Sequence, residues 1–254
     1  MVRHGESTFI VEGRFQGQAE TPLSPTGQLQ ASLVADRLAR PHDPPALPVP
    51  SGDPVELVHS PLARTAGTAE AIERSMRAAG QTIARRADLG FFEIHQGAWQ
   101  GLHRDEIDRT YAAELAAWRR SPLEGWAPGG ESLPEVAARV RVALATILAR
   151  LAEGRAPGTH DRPEVAGYAD PVPEHPWSIV VGHDGVFKVA LLTLFDLPLE
   201  RFWMWSMDLC GISIIEFRAG RPVLRAHNLT AHLAGLEDER AIEAVEERSR
   251  SGAL

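Results

Sequence analysis

Apolar positions along the chain fall into runs of two kinds. Three stretches carry apolar residues at spacings of three to five, close to the period of a helix with one buried face. The first follows Ser24-Pro25, a capping residue with proline at the first helical position, and carries Leu29, Leu33 and Leu38. The second follows Ser60-Pro61, which repeats that start signal ahead of Ala69, Ile72 and Met76. The third opens at Ser132 with Glu135 at capping-box spacing and runs through Val136, Val140, Leu144, Ile147 and Leu151. Short apolar runs bounded by breakers predict strands at Val55–His59, Trp177–Val181, Gly211–Phe217 and Pro222–His227. Strands alternating with helices predict an α/β fold with a largely parallel sheet, whose ligands gather beyond the carboxyl ends of the strands.

Loops are predicted at Pro41–Pro54, Pro122–Gly130 and Gly154–Pro176, where Pro and Gly concentrate. No internal repeat divides the chain, so residues 1–235 read as one domain and 236–254 as a charged tail. A composition of 44% hydrophobic and 24% charged residues is that of a globular protein. The net charge of −8 argues against a nucleic-acid partner, which needs an extended basic face. It leaves room for a small phosphorylated substrate, which needs only a few local arginines. Lys188 is the only lysine among the 26 basic residues. The single cysteine, Cys210, has no partner for an internal disulfide and points to a reducing compartment. No apolar stretch has the length of a membrane span, and the N-terminus has no signal-peptide core. The expectation is a cytoplasmic protein without a membrane partner.

Four short motifs fall at the predicted strand ends. Arg3-His4-Gly5-Glu6-Ser7 joins a guanidinium fork suited to phosphate oxygens, an imidazole and a conformationally permissive glycine. His59-Ser60-Pro61-Leu62-Ala63-Arg64-Thr65 puts Arg64 in the first turn of a predicted helix, where the dipole disfavours a cation unless an anion lies nearby. Gly182-His183-Asp184-Gly185 ends a strand beside helix N-terminal amides, a natural anion site. Glu93 lies among Phe91, Phe92 and Trp99, and desolvation there would raise its pKa as a general acid requires. Singly, each has an ordinary explanation: a solvated arginine, a satisfied strand-end histidine, an exposed loop glutamate.

Together and in this order, the motifs resemble the histidine phosphatase superfamily, the phosphoglycerate-mutase-like proteins of branch 1. Arg14-Phe15-Gln16-Gly17, Pro22-Leu23-Ser24, Gly27-Gln28-Leu29-Gln30-Ala31, Gly129-Gly130-Glu131-Ser132 and Asn228 through Leu233 extend the resemblance over nearly the whole chain. It implies a three-layer α/β/α sandwich around a mainly parallel sheet. It also implies a histidine acid phosphatase-type phosphoric monoester hydrolase that uses no metal or cofactor. His4 would be the nucleophile. Arg3, Arg64 and a cationic His183 would surround the transferring phosphoryl group, and Glu93 would serve as acid and then base. Arg14, Gln16, Gly17 and Asp184 would contact substrate. The ten histidines show no His-x-x-x-His spacing, so the residues themselves predict no metal site either.

Three features depart from the family pattern. Ile10 stands where the family commonly has a phosphate-contacting Asn. Only Met1 and Val2 precede Arg3, which predicts an empty central sheet position and a start codon inside the gene or a clipped chain. The acid loop reads Glu93-Ile94-His95-Gln96-Gly97, without the Arg and Tyr typical of the mutases, which favours water as acceptor. The competing readings are a mutase-type phosphotransferase and a non-catalytic phospholigand-binding protein. Lys188 is expected to be solvated or to reach a substrate carboxylate. Trp203-Met204-Trp205 is expected to form a homodimer patch or a buried turn.

Overall fold

A computed structural model of the chain describes residues 1–153 and 175–236. In chain order the elements are β1 (Val2–Arg3), α1 (Thr8–Val11), α2 (Pro25–Ala39), β2 (Glu56–His59), α3 (Ala63–Ala78) and β3 (Ala84–Ala87). They continue with α4 (Arg104–Thr110), α5 (Ala112–Arg120), α6 (Leu133–Glu153), β4 (Ile179–Gly182), α7 (Asp184–Leu194), β5 (Ile212–Arg218) and β6 (Arg221–Leu229). The strands form one sheet in the order β3-β2-β4-β1-β5-β6. The β2–β3, β2–β4 and β1–β4 pairs are parallel, and β1–β5 and β5–β6 are antiparallel. The four predicted strands are all present.

Successive strand residues face opposite layers, as the pleat dictates. Leu57, Ile179, Val181 and Ile212 pack with α2 and α3 around Val34, Ala35, Ile72 and Met76. Val58 and Val180 point the other way, into the core of α5, α6 and α7. This is the three-layer α/β/α sandwich. The chain leaves β1 towards β2 on one side and leaves β4 towards β5 on the other, so a crevice opens at the carboxyl ends of β1 and β4. Among the described residues, no helix is long and apolar enough to cross a membrane.

Several sequence expectations are corrected. Ser24 does cap α2, accepting from the Gly27 N–H at 3.0 Å. Leu29 does not face the core: it is 57% exposed, and the buried face is Gly27, Gln30, Ala31, Val34, Ala35 and Leu38. Of the three predicted leucines only Leu38 lies on the buried face, which is otherwise made mostly of small residues. Ser60 does not cap α3. Its N–H still continues the ladder to the Val181 carbonyl, and the helix starts at Ala63 with Leu62 as an N-cap lacking a side-chain bond. The central sheet position is filled, because β1 pairs with both β4 and β5. A cavity of about 470 Å³ lies at the amino ends of β1 and β4, walled by Leu38 and Leu47 on one side of the sheet and Leu144, Ile147, Leu148 and Leu151 on the other. The loop predicted at Gly154–Pro176 and the tail lie outside the described residues, apart from His175, Pro176 and Leu236.

Candidate active site

Arg3 ends β1, and His4 follows it into the crevice. Two backbone contacts fix their course: the His4 N–H donates to the Gly182 carbonyl at 3.0 Å, and the Cys210 N–H donates to the Arg3 carbonyl at 3.1 Å. The turn carrying Cys210 is held by Asn228, whose Oδ1 accepts from the Asp208 N–H and whose Nδ2 donates to the Asp208 carboxylate. Gly5 and Gly27 let β1 leave the sheet against the start of α2. A Cβ on Gly5 would lie 2.5 Å from the Gly27 carbonyl oxygen, and one on Gly27 would lie 1.9 Å from that of Glu6. No side chain fits either position.

The His4 Nδ1–H donates to its neighbour's carbonyl, Gly5 O, at 2.6 Å. That bond places the proton on Nδ1 and the lone pair on Nε2. The His4 and His183 rings meet edge to face with centroids 5.0 Å apart. His183, fully buried at the end of β4, bonds the Ser60 hydroxyl through Nε2 at 2.8 Å. Sequence reasoning missed this role for Ser60, because the Ser-Pro dipeptide reads as a helix start. Burial, then Arg64, His4 and Arg3, holds His183 well below the ordinary imidazole pKa. Burial and these neighbours thus disfavour the cationic form, and the fixed positive charge of the site comes from guanidinium groups.

Arg64 is fully buried in the first turn of α3. Its terminal nitrogens donate to the carbonyls of Gly17, at 2.7 Å, and Ala19, at 3.0 Å. Gly17 adopts φ +49°, a left-handed backbone that presents its carbonyl to this arginine. Burial lowers the Arg64 pKa to about 10, with Glu93 and Glu20 opposing the fall and Arg3 adding to it, and the group stays charged at neutral pH. Arg3 donates through Nη1 to the Met207 carbonyl. Arg3 Nε, Arg64 Nε and His183 Nδ1 are buried with no protein partner.

Glu93, 2% exposed, reaches the N-terminus of α7. Its carboxylate accepts from the N–H groups of Val186 at 3.0 Å, Gly185 at 3.2 Å and its neighbour Ile94 at 2.9 Å. The helix N-terminus expected to bind an anion from outside is thus occupied by the chain's own acid. Burial pushes the Glu93 pKa up and Asp184 adds to the rise, while the Ile94 N–H, Arg64 and the Gly185 N–H pull it down. Phe91 and Trp99, its neighbours in sequence, are both fully buried.

The residues marked for substrate contact separate. Gln16 is buried and its Oε1 accepts from the Ser7 hydroxyl at 2.6 Å, which places it on the loop that carries Gly17. Arg14 pairs with Glu12 at 2.8 Å and donates to the Gly101 carbonyl at the partly exposed rim. Asp184 binds Lys188 at 2.6 Å. Lys188 is neither solvated nor extended towards the crevice mouth: it is 7% exposed, 5.4 Å from the Phe202 ring and 5.3 Å from that of Trp203. Trp118, Phe202 and Trp203 stack on one another as packing. Of the Trp203-Met204-Trp205 segment, Met204 is exposed and the two tryptophans are half-buried. Ile10 is buried within α1.

The family model of the histidine phosphatase superfamily (branch 1) matches residues 1–160 and 166–230. The chain belongs to this superfamily. Glucosyl-3-phosphoglycerate phosphatase of Mycobacterium tuberculosis is 32% identical over 204 residues, covering 80% of this chain and 77% of that protein. Phosphoserine phosphatase 1 of Hydrogenobacter thermophilus is 27% identical over 237 residues, 92% of each chain. A solved structure of the mycobacterial glucosyl-3-phosphoglycerate phosphatase with inorganic phosphate superposes with a TM-score of 0.70 at 28% identity, covering 91% of this chain and 97% of that one. The relatives also include proteins that carry a phosphoglycerate mutase name.

Proposed function

We propose that this member of the superfamily is a metal-independent histidine acid phosphatase-type hydrolase, which cleaves small phosphomonoesters through a phosphohistidine on His4. One observation carries the reading. His4, Arg3, Arg64, His183 and Glu93 come from four distant parts of the chain and act electrostatically on one another in a single buried crevice. Three of their nitrogen atoms have no protein partner. Buried polar groups of this kind are rare unless a ligand uses them.

The chemistry follows from the atoms. The His4 Nε2 lone pair attacks phosphorus while the bond from phosphorus to the ester oxygen breaks. Glu93 gives its proton to that oxygen, so an alcohol leaves and a phosphohistidine remains. The Glu93 carboxylate then takes a proton from water as the water oxygen attacks phosphorus. The P–N bond breaks, its electrons return to Nε2, and inorganic phosphate departs. Arg3 and Arg64 stabilise charge on the oxygens of the transferring group, the main task in phosphoryl transfer. A phosphate arriving beside His183 favours its protonation, so the neutral imidazole becomes an additional donor with the ligand in place.

The substrate class proposed is a small phosphorylated metabolite, in keeping with the phosphoserine and glucosyl-3-phosphoglycerate of the named relatives. Water is favoured as acceptor over a second substrate hydroxyl, because the acid loop has Ile94 and Gln96 in place of the mutase Arg and Tyr. The test is hydrolysis of p-nitrophenyl phosphate in excess EDTA. The expected outcome is turnover that survives chelation and falls at least about 10⁴-fold in His4→Ala, the scale for losing a nucleophile. Activity abolished by EDTA, or retained by His4→Ala, refutes the reading.

A further inference from the structure

The acid loop is held from behind by a side chain outside the catalytic crevice. Arg139 lies in the second turn of α6 and has five N–H donors. All five are used. Nε and Nη2 donate to the two oxygens of Glu131 at 2.8 and 2.9 Å. Nη1 donates to the carbonyls of Gly90 at 2.9 Å and Phe92 at 2.8 Å. Nη2 also donates to the carbonyl of Glu93 at 3.0 Å. Glu131 closes the ring: its carboxylate accepts from the His95 N–H at 2.8 Å, and its own N–H donates to the His95 carbonyl at 2.9 Å. Gln18 joins Glu93 O, at 2.9 Å, to the same carboxylate, at 3.3 Å. Gly90 permits the approach, because a Cβ there would sit 2.5 Å from that of Ala143 on α6.

We propose that Arg139, locked by Glu131, is a positioning residue that sets where the Glu93 carboxyl meets the leaving-group oxygen. The inference rests on the reading of Glu93 as general acid. The carboxyl of Glu93 is fixed on one side by the amides of α7 and its backbone on the other by Arg139, so the acid is suspended between two helices. Both Arg139 and Glu131 are about one-fifth exposed. Water screens their ion pair, and the role lies in geometry more than in charge. A planar fork is needed for it. Lysine keeps the charge but offers three donors from one point and cannot span Glu131 and three carbonyls. A displacement on the order of 1 Å at a catalytic group costs about 100-fold in rate.

The test compares kcat/KM for two substrates, p-nitrophenyl phosphate and an alkyl phosphate such as glycerol phosphate. kcat/KM reports only the steps up to departure of the leaving group. A nitrophenolate leaves without a proton, whereas an alkoxide needs one. Glu93→Gln is the benchmark and is expected to lose far more on the alkyl ester than on the aryl ester. Arg139→Lys is expected to show the same selective loss, about 10- to 100-fold on the alkyl ester and within about 3-fold on the aryl ester. Equal losses on both substrates, alongside a selective Glu93→Gln, overturn the inference and leave Arg139 as general scaffold. An unselective Glu93→Gln removes the general-acid reading and the inference with it. If Arg139→Lys does not fold, Glu131→Gln, which keeps the shape and loses the anion, is held to the same criterion.

Discussion

At the carboxyl ends of β1, β2 and β4 the sheet closes on polar groups: Arg3, His4, Ser60, Arg64 and His183 are buried together. At the amino ends of β1 and β4 it opens on a cavity of about 470 Å³ lined mainly by apolar side chains, with Leu144, Leu148, Trp177 and Ile212 among them. The first region buries Arg3 Nε, Arg64 Nε and His183 Nδ1 without a protein partner. Such burial is unfavourable to the fold and is tolerated for a ligand. The second also meets the Met1 amine and Glu216 at its edge. The proposed function thus lies at one end of the sheet, and open space at the other.

The sharpest way to break this contrast is to treat the polar end as structure. Arg64→Met keeps the bulk and removes the charge. Activity on p-nitrophenyl phosphate is expected to fall about 100- to 1000-fold, the scale for one electrostatic donor to a transition state. Stability is expected to fall by only about 1–3 kcal/mol, because the carbonyls of Gly17 and Ala19 lose their donors while a buried cation is removed. Urea denaturation measured beside the rate decides it. A variant that unfolds at neutral pH would make Arg64 a scaffold residue.

The polar end was the more legible of the two in the sequence, because its motifs, each with an ordinary explanation alone, together resemble the signature of a family. What connects those residues was not. The Ser60 hydroxyl on His183 was hidden behind a helix-start signal two residues early. Arg139 gave no signal, since three of its acceptors are main-chain carbonyls that any residue carries. β3 reads Ala84-Arg85-Arg86-Ala87, an edge strand whose exposed positions leave no apolar pattern to detect. α4 and α5 did leave one, in Ile107, Leu115 and Trp118 behind His103 and Glu106, but histidine is an unusual capping residue and the start passed unnoticed. The cavity is a property of packing across three layers and has no signature in any one segment.

The amino end is tested by filling it. Leu148 of α6 lines the cavity, whereas Val140, two turns earlier on the same helix, is fully buried and does not. Leu148→Phe is expected to raise stability by about 0.5–1 kcal/mol through added apolar burial. Val140→Phe is expected to lower it by about 1–3 kcal/mol through overpacking. Leu148→Phe should leave kcat/KM for p-nitrophenyl phosphate within about 2-fold, since the cavity lies at the opposite end of the sheet from His4. Urea midpoints with unchanged slopes give the comparison. Equal losses in the two variants would mean that the space beside Leu148 is closed in solution.

The smallest effect is a pH dependence, to which the polar end contributes through His183 and the other end through the buried Met1 amine, lowered to about 5 by burial. His183 is held well below its unfolded pKa of about 6.5 by burial and by Arg64, His4, Arg3 and Arg139. With the folded pKa depressed, the unfolded chain binds the extra proton, so stability rises with pH through the region below about 6.5 and falls as pH drops through it. His59, His227 and His232, also lowered by burial, tilt the curve the same way. Glu93, raised by burial, tilts it the other way above the ordinary carboxyl range. The difference between wild type and His183→Asn isolates the one imidazole. Wild type is expected to lose stability relative to the variant between pH 7 and pH 5, with inorganic phosphate flattening the wild-type curve by favouring protonated His183. Parallel curves would mean that His183 titrates in the fold as it does in the unfolded chain, and a wild type that gains on the variant as pH falls would mean that His183 is already protonated before any phosphate arrives.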